Sequence, residues 1–442
     1  MTGRIVFCKH AVETLTYFSR QLAEAFEAWG YEIFWMDLAK TGLSAWKLRQ
    51  AVSGTVSPGA ETVLITFNFI GLSGEEEWYA LDDYGQPAAS IWEQLGIRCL
   101  NILVDHPIYY YRAMQYPLPE MQVFCIDRDH VAYMKRFYPQ IPCAFLPIAG
   151  NRLLEDGRYQ EQNVPDLPAG QEQNVSDLQH QQEVSFEEWD NRLYPLIFTA
   201  NYVPIANLEK QLSRLEPEYR DFYDAMIQSL MHNPNQDLLS CIEGFLRREI
   251  PDLSDAQLCE GMSSMPAVDL WVRTCFREKT IQALADGGVK IYLFGKDWEQ
   301  ISCRHPENLI VTGRMVTSAE CVRAAMQAKI SLNTMPWFKD GAHDRVFTSM
   351  LCGAAALTDD SRYLREQFAD LDTIVYYGLQ QLEALPQQVT ALLADPQRLF
   401  ALACRGKRAA VQCHQWKNRA AILEKYAARA GKVKDEKIMK LQ

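Results

Sequence analysis

Short apolar runs alternate with stretches of helical periodicity over most of this chain, and that alternation restricts the fold more than any other feature of the sequence. In the first 150 residues the runs are 4–8, 32–36, 62–67, 98–104, 122–126 and 144–146. Between the first two, Leu15, Phe18, Leu22, Ala25 and Phe26 return at helical spacing within 12–29. Strand, helix, strand in succession calls for a parallel sheet with helices on both faces, because a parallel neighbour is reached only by a crossover long enough to hold a helix. The pattern resumes at 194–201, 289–294, 308–311, 330–332, 354–357 and 373–376. Two α/β halves with Rossmann-like alternation are therefore expected to face a cleft, and ligands of open parallel sheets sit beyond the carboxyl ends of the strands.

At 442 residues with 48% hydrophobic and 11% aromatic residues, the chain exceeds what one core usually organises. A formal net charge of −12 argues against binding nucleic acid or an anionic membrane through a broad basic surface. The 12 cysteines are scattered without a CxxC pair, which fits reduced thiols, and neither HExxH nor a zinc-like Cys/His grouping occurs. No apolar run approaches the ~20 residues that span a bilayer, and the first residues do not read as a signal peptide. A cytoplasmic protein without metal, cofactor or integral membrane segment is expected.

Residues 153–190 break the alternation. They are rich in Gln, Glu and Asp and carry a near-duplication, 160–167 followed by 171–178. Such polar segments bury too little apolar surface to offset their ordering entropy, so a linker or excursion is expected, with a partner-binding loop as the alternative. The expected division is 1–150 for an acceptor domain, 151–193 for the linker and 194–415 for a donor domain with a helical insertion at about 205–285. Residues 416–442 then form a C-terminal helix that packs back on the first half.

The densest polar grouping lies at 340–348, where Asp340, Gly341, His343, Asp344, Arg345 and Thr348 surround the start of a short helix. Free backbone N–H groups and the positive end of the helix dipole favour an anion there. Gly295 with Lys296, and Gly313 with Arg314, place glycine and a cation after neighbouring strands, where a ligand phosphate can approach the backbone. In the first half Asp105 and His106 end a strand that Pro107 stops. The histidine either faces the cleft as a hydrogen-bond donor or proton carrier, or caps a loop. Asn68, after the preceding strand, is a rim candidate or a turn residue. Asp127 and Asp129 follow a further strand, where a helix N-cap competes with a divalent-cation site.

The second half resembles the group 1 glycosyltransferases of the GT-B fold, in particular the spore-maturation CgeB-like branch. The resemblance rests on Asn333, Gly341, Arg345 with Val346 and Phe347, Cys352 with Gly353, Thr358 through Asp360, Tyr376 with Tyr377, and the series His414, Trp416, Arg419. It covers roughly 270–430, while in the first half Asp105, His106 and Pro107 are the main point of contact. It implies a hexosyltransferase-type enzyme that moves a sugar from a nucleoside-diphosphate sugar to an acceptor hydroxyl on a protein, glycan or small molecule. By that resemblance His106, Asp340 and Arg345 are catalytic. Asn201, Gly295, Lys296, Gly313, Arg314, Gly341, His343, Asp344 and Thr348 bind the donor, and Asn68 with Asp105 lie on the acceptor side.

The family pairs two acids across seven residues, whereas here Asp340 is followed at the second position by Thr348. The family's basic pair after the first strand of the second half reads Thr199 to Tyr202, so Arg345, Lys296 and Arg314 are the expected replacements. Retention without a metal is implied. Inversion would need His106 or Asp105 as base. A degenerate nucleotide-sugar or partner binder of the same fold is the alternative; an epimerase would need an acid/base set that the sequence does not assemble.

Overall fold

The computed structural model describes residues 3–53, 61–72, 79–81, 87–154, 184–369 and 372–428. The near-duplicated stretch and positions 429–442 of the expected C-terminal helix lie outside the described residues. Strands β1 (Arg4–Lys9), β2 (Glu32–Asp37) and β3 (Thr62–Phe67) open the first half, and a small antiparallel pair, β4 (Tyr79–Leu81) and β5 (Pro87–Ser90), follows. Strands β6 (Arg98–Leu103), β7 (Gln122–Cys125) and β8 (Cys143–Phe145) complete it. The second half holds β9 (Tyr194–Thr199), β10 (Ile291–Phe294), β11 (Leu309–Val311), β12 (Ala328–Asn333), β13 (Ala355–Thr358) and β14 (Ile374–Tyr376).

Each half is one six-stranded parallel sheet, ordered β2-β1-β3-β6-β7-β8 in the first and β11-β10-β9-β12-β13-β14 in the second. The apolar runs become strands because both faces are covered: Ile5, Val6 and Phe7 are fully buried in β1, as are Leu196, Ile197 and Phe198 in β9. In each order the direction of winding reverses once, between β1 and β3 in the first half and between β9 and β12 in the second. Such reversals leave a crevice beyond the strand ends.

The carboxyl ends of the two sheets face one another. Glu13, after β1, accepts the Ser318 N–H at 3.0 Å and the Ser318 hydroxyl at 2.7 Å. Asp127, after β7, pairs its backbone with Gly341, after β12. A Cβ on Gly341 would lie 2.5 Å from the Ile126 carbonyl oxygen, so only glycine allows these two loops to touch. Asp127 also caps helix Arg128–Phe137 and accepts the Asp340 N–H at 3.0 Å.

Two features were not legible in the alternation. The insertion helices Ile205–Leu212, Pro217–His232, Leu238–Glu249 and Asp255–Ser263 belong to the second half by sequence but share a core with the first. Tyr133 and Tyr138 reach Cys259, and Arg136 pairs with Glu243 and Asp255. Within the expected linker, Ser185 caps a short helix, Phe186–Asp190, whose Trp189 is buried and donates to the Gly353 carbonyl at 2.9 Å. Its apolar anchor outweighs the polar composition around it.

The chain crosses between halves at 148–152. There the Gly150 N–H donates to the His414 carbonyl at 2.8 Å and Trp416 Nε1 to Asn151 Oδ1 at 2.9 Å. Arg419 donates to the Ile148 carbonyl. Helix Trp416–Ala427 then packs on helix Glu13–Ala28, with the Phe18 and Trp416 rings 4.8 Å apart.

Candidate active site

Helix Asp344–Leu351 follows β12 after the loop 334–343 and carries Arg345 into the gap where the second sheet reverses its winding. Arg345 Nε donates to the Thr199 carbonyl at the end of β9 at 2.9 Å, and Nη1 donates to Asn333 Oδ1 at the end of β12 at 2.6 Å. Asn333 is held in turn by Thr358 Oγ1 at 2.8 Å. The guanidinium lies over the Phe198 ring at 5.0 Å and is buried, which lowers its proton affinity below the usual arginine value. No carboxylate lies within ion-pair distance of it among the described residues.

A second arginine converges on the same place. Arg277, on helix Pro266–Asp286, donates from Nη1 to the Asn201 carbonyl at 3.2 Å, and its Nε is buried without a partner. Burial first, then the charges of Arg345 and Arg273, bring its pKa down to about 9. It too lacks a carboxylate partner among the described residues. Two guanidinium groups at a strand-end crevice, neither within ion-pair distance of a carboxylate among the described residues although Asp344 and Asp359 act on Arg345 from farther off, suit a small multivalent anion, which would offset their repulsion and meet the open Arg277 donor. Arg273 stands one helical turn away on the same face.

The residues named from sequence distribute over three places. Asn201 joins the arginines: its carbonyl meets Arg277, and its side-chain Oδ1 accepts the Lys296 N–H at 3.1 Å. Gly295 ends β10 against the β9 loop, while the Lys296 side chain is exposed beside Asp297 at 3.6 Å. Gly313 takes a φ of 67° after the edge strand β11, and Arg314 is committed to Glu320 at 2.6 Å and the Met315 carbonyl.

A second group lies on the helix entrance. His343 caps it, with Nδ1 3.2 Å from the Arg345 N–H and 2.8 Å from Asp344 Oδ1. Burial lowers the His343 pKa. Asp344 accepts from Asn151 Nδ2 at 2.9 Å, and Thr348 Oγ1 accepts the Asn151 N–H at 2.9 Å, so both are turned toward the crossing segment. Asp340 lies at the contact between halves, 3.5 Å from Arg128 and 3.4 Å from Arg362.

The third group is on the first half. Asn68 Nδ2 donates to Asp105 Oδ2 at 3.0 Å. His106 is buried and caps the turn Pro107–Tyr110 by accepting the Ile108 N–H at 3.0 Å. Its ring packs 4.3 Å from that of His130, and burial, with His130 next, holds its pKa well below the usual value.

Sequence reasoning missed Arg277, Arg273 and the clamp role of Asn333. A signal was present. Asp269, Arg273 and Arg277 recur every fourth position on a helix whose neighbouring positions, Val268, Val272, Cys275 and Phe276, are buried. Charges on the edge of an apolar stripe are expensive to desolvate unless they face a partner or a ligand.

No curated protein matches the chain. Among solved structures, the sucrose-phosphate synthase of Thermosynechococcus elongatus aligns with a TM-score of 0.47 and 10% identity over 96% of this chain and 98% of that one. AviGT4, a glycosyltransferase involved in avilamycin A biosynthesis, aligns at 0.45 and 10% over 96% and 97%. A glycosyltransferase from Rickettsia africae ESF-5 aligns at 0.46 and 8% over 96% and 98%. Residues 273–425, which contain Arg273, Arg277, Asn333 and Arg345, match the family described as glycosyl transferase-like.

Proposed function

We propose that this chain is a glycosyltransferase that moves a sugar from a nucleoside-diphosphate sugar to an acceptor hydroxyl. The carrying observation is the pair Arg277 and Arg345, which converge on the β9/β12 crevice with no carboxylate at ion-pair distance among the described residues. The donor's diphosphate would lie between them, and as the bond from its oxygen to the anomeric carbon lengthens, the two fixed cations stabilise the growing negative charge. Because that stabilisation is supplied by guanidinium groups, we propose a metal-independent reaction. In the retaining course favoured by the resemblance, the acceptor hydroxyl attacks from the leaving-group side and passes its proton to the departing phosphate. No dedicated carboxylate base is then required. The 12 free thiols support a reducing compartment, the cytoplasm.

The test is calorimetric titration with UDP, GDP, ADP and dTDP, together with release of nucleoside diphosphate from the matching nucleotide sugars. At least one nucleotide should bind, and Arg345→Ala should weaken it by about a hundredfold, the loss of charge-assisted contacts, in a variant that still folds but with lower thermal stability, because the Thr199 carbonyl and Asn333 Oδ1 lose their donor. Equal affinity in the variant would remove the basis of this reading. A second reading has its own support: Thr348 and Asp344 are engaged by the crossing segment and Asp340 by two arginines. Tight nucleotide-sugar binding without turnover would favour such a non-catalytic binder.

A further inference from the structure

The first-half wall of the cleft is built on a strained turn. Asn68 and Phe69 follow β3 with φ of 52° and 60°, left-handed values that non-glycine residues seldom adopt. Neighbouring groups over-determine them. The Asn68 N–H donates to the Ile102 carbonyl, Asn68 Oδ1 accepts the Val104 N–H, and the Phe69 N–H donates to the buried Asn101 side chain. The outcome is the aim of one amide: Asn68 Nδ2 meets Asp105 Oδ2 at 3.0 Å, with the Tyr110 hydroxyl 3.4 Å from the same oxygen.

Asp105 Oδ1 is left to a group from the opposite half. Arg273 Nη1 stands 3.9 Å away, close enough for Coulomb attraction and too far for a hydrogen bond. Arg273 is wedged between the Tyr109 ring at 5.8 Å and the Trp337 ring at 5.3 Å, and its Nε is 3.8 Å from Asp269. Asp269 in turn accepts the Tyr109 hydroxyl. Helix Pro266–Asp286 thus spans the cleft with one stripe: Asp269 and Arg273 meet the first half, and Arg277 meets the diphosphate crevice.

We propose that Arg273 is a positioning residue that keeps Asp105 Oδ1 turned into the cleft, where that oxygen accepts a hydrogen bond from a hydroxyl of the sugar being transferred. This rests on the donor reading above and adds to it a sugar contact that forms only when both halves are together. A partly exposed carboxylate with one oxygen fixed by Asn68 and Tyr110, and with no hydrogen-bond donor to the other among the described residues, is oriented for a hydroxyl donor, and the guanidinium keeps its charge from turning away.

The experiment compares nucleotide with nucleotide sugar. UDP, GDP, ADP and dTDP are titrated beside UDP-glucose, GDP-mannose, ADP-glucose and dTDP-glucose into the intact protein and into Asp105→Asn, Arg273→Met, Arg273→Lys and the Asp105→Asn/Arg273→Met double variant. Each of the first two should weaken the nucleotide sugar about tenfold, the worth of one hydrogen bond to a charged group, while the bare nucleotide shifts by less than about twofold. The double variant should be no weaker than either single one, and Arg273→Lys should recover most of the loss. If Arg273→Met weakens nucleotide and nucleotide sugar alike, Arg273 belongs to the diphosphate site and the proposal is overturned. Additive losses overturn it as well. Absence of any nucleotide binding to the unaltered protein sinks the donor reading, and this one with it. Normal nucleotide binding with an unaltered sugar increment sinks this one alone.

Discussion

Arg345 and Thr348 stand three positions apart on one short helix and face different neighbours. Arg345 reaches the strand ends of its own sheet, whereas Thr348 is bonded to the segment that joins the halves. Spacing along the sequence identified this helix as the place to look but could not say which side chain the crossing chain would occupy. Arg345 is legible because it sits among polar residues in the first turn of an otherwise apolar helix. Arg277 is harder to single out, because it is one charge among Arg273, Glu278 and Lys279 on a long helix and only the four-residue recurrence with Asp269 and Arg273 marks it. Buried histidines give a residue-scale prediction. His130 is buried, its Nδ1 has no partner, and burial brings its pKa down to about 3. The folded protein keeps it neutral while the unfolded chain protonates it below about 6.5, so stability falls as pH drops from 6.5 toward 3. His130→Phe should therefore be more stable than the parent at pH 5 by about 2 kcal/mol relative to the difference at pH 7.5, measured by urea unfolding at both. The buried carboxyls act oppositely. Burial raises Asp127 to about 6 and Asp359 to about 7, so the stability they contribute below the normal carboxyl range is lost as pH rises through those values.

At the scale of elements, the strands and the first helix were legible almost to the residue, since a parallel strand buried on both faces has to be a continuous apolar run. The pair β4 and β5 was not, because short antiparallel strands carry little periodicity. Partners of the insertion were also hidden: amphipathic helices announce that they bury a face, not which surface receives it. The crossing segment is a sharper case. A Cβ at Gly150 would lie 2.5 Å from the Phe347 carbonyl carbon and 2.7 Å from the Thr348 nitrogen, both backbone atoms that cannot swing aside. Gly150→Ala should cost about 1–3 kcal/mol by forcing the segment off helix Asp344–Leu351, seen as a lower urea midpoint with an unchanged slope. A normal midpoint would mean that the contact is looser than the geometry requires.

For the whole molecule, the decisive feature is that two buried clusters are shared between the halves, beside one around Leu196, Phe198, Ile291 and Leu357 that belongs to the second half alone. One buried cluster joins Ile5, Phe7 and Phe67 of the first half to Val346 and Phe347 of the second and to Trp416 of the returning helix. Another joins the first sheet to the insertion. Equilibrium unfolding should follow one cooperative transition rather than two. Trp416→Ala, removing a buried ring and the indole bond to Asn151, should lower stability by about 3–5 kcal/mol. Two separate transitions in the parent, with only one of them shifted by the substitution, would contradict this.

The sequence by itself determined the two parallel sheets, the register of apolar and polar residues along them and the helix whose entrance carries Arg345. Those depend on local periodicity, on backbone freedom at glycine and on backbone stiffness at proline, which a linear string records in full. The tertiary structure alone decided which charges meet. Arg273 comes within 3.9 Å of Asp105, and Arg277 lies close enough to Arg273 and Arg345 to feel both charges, because strand order, helix phase and the contact between halves bring distant positions together. Electrostatic interactions depend on separation in space and on burial, and neither quantity is written in separation along the chain.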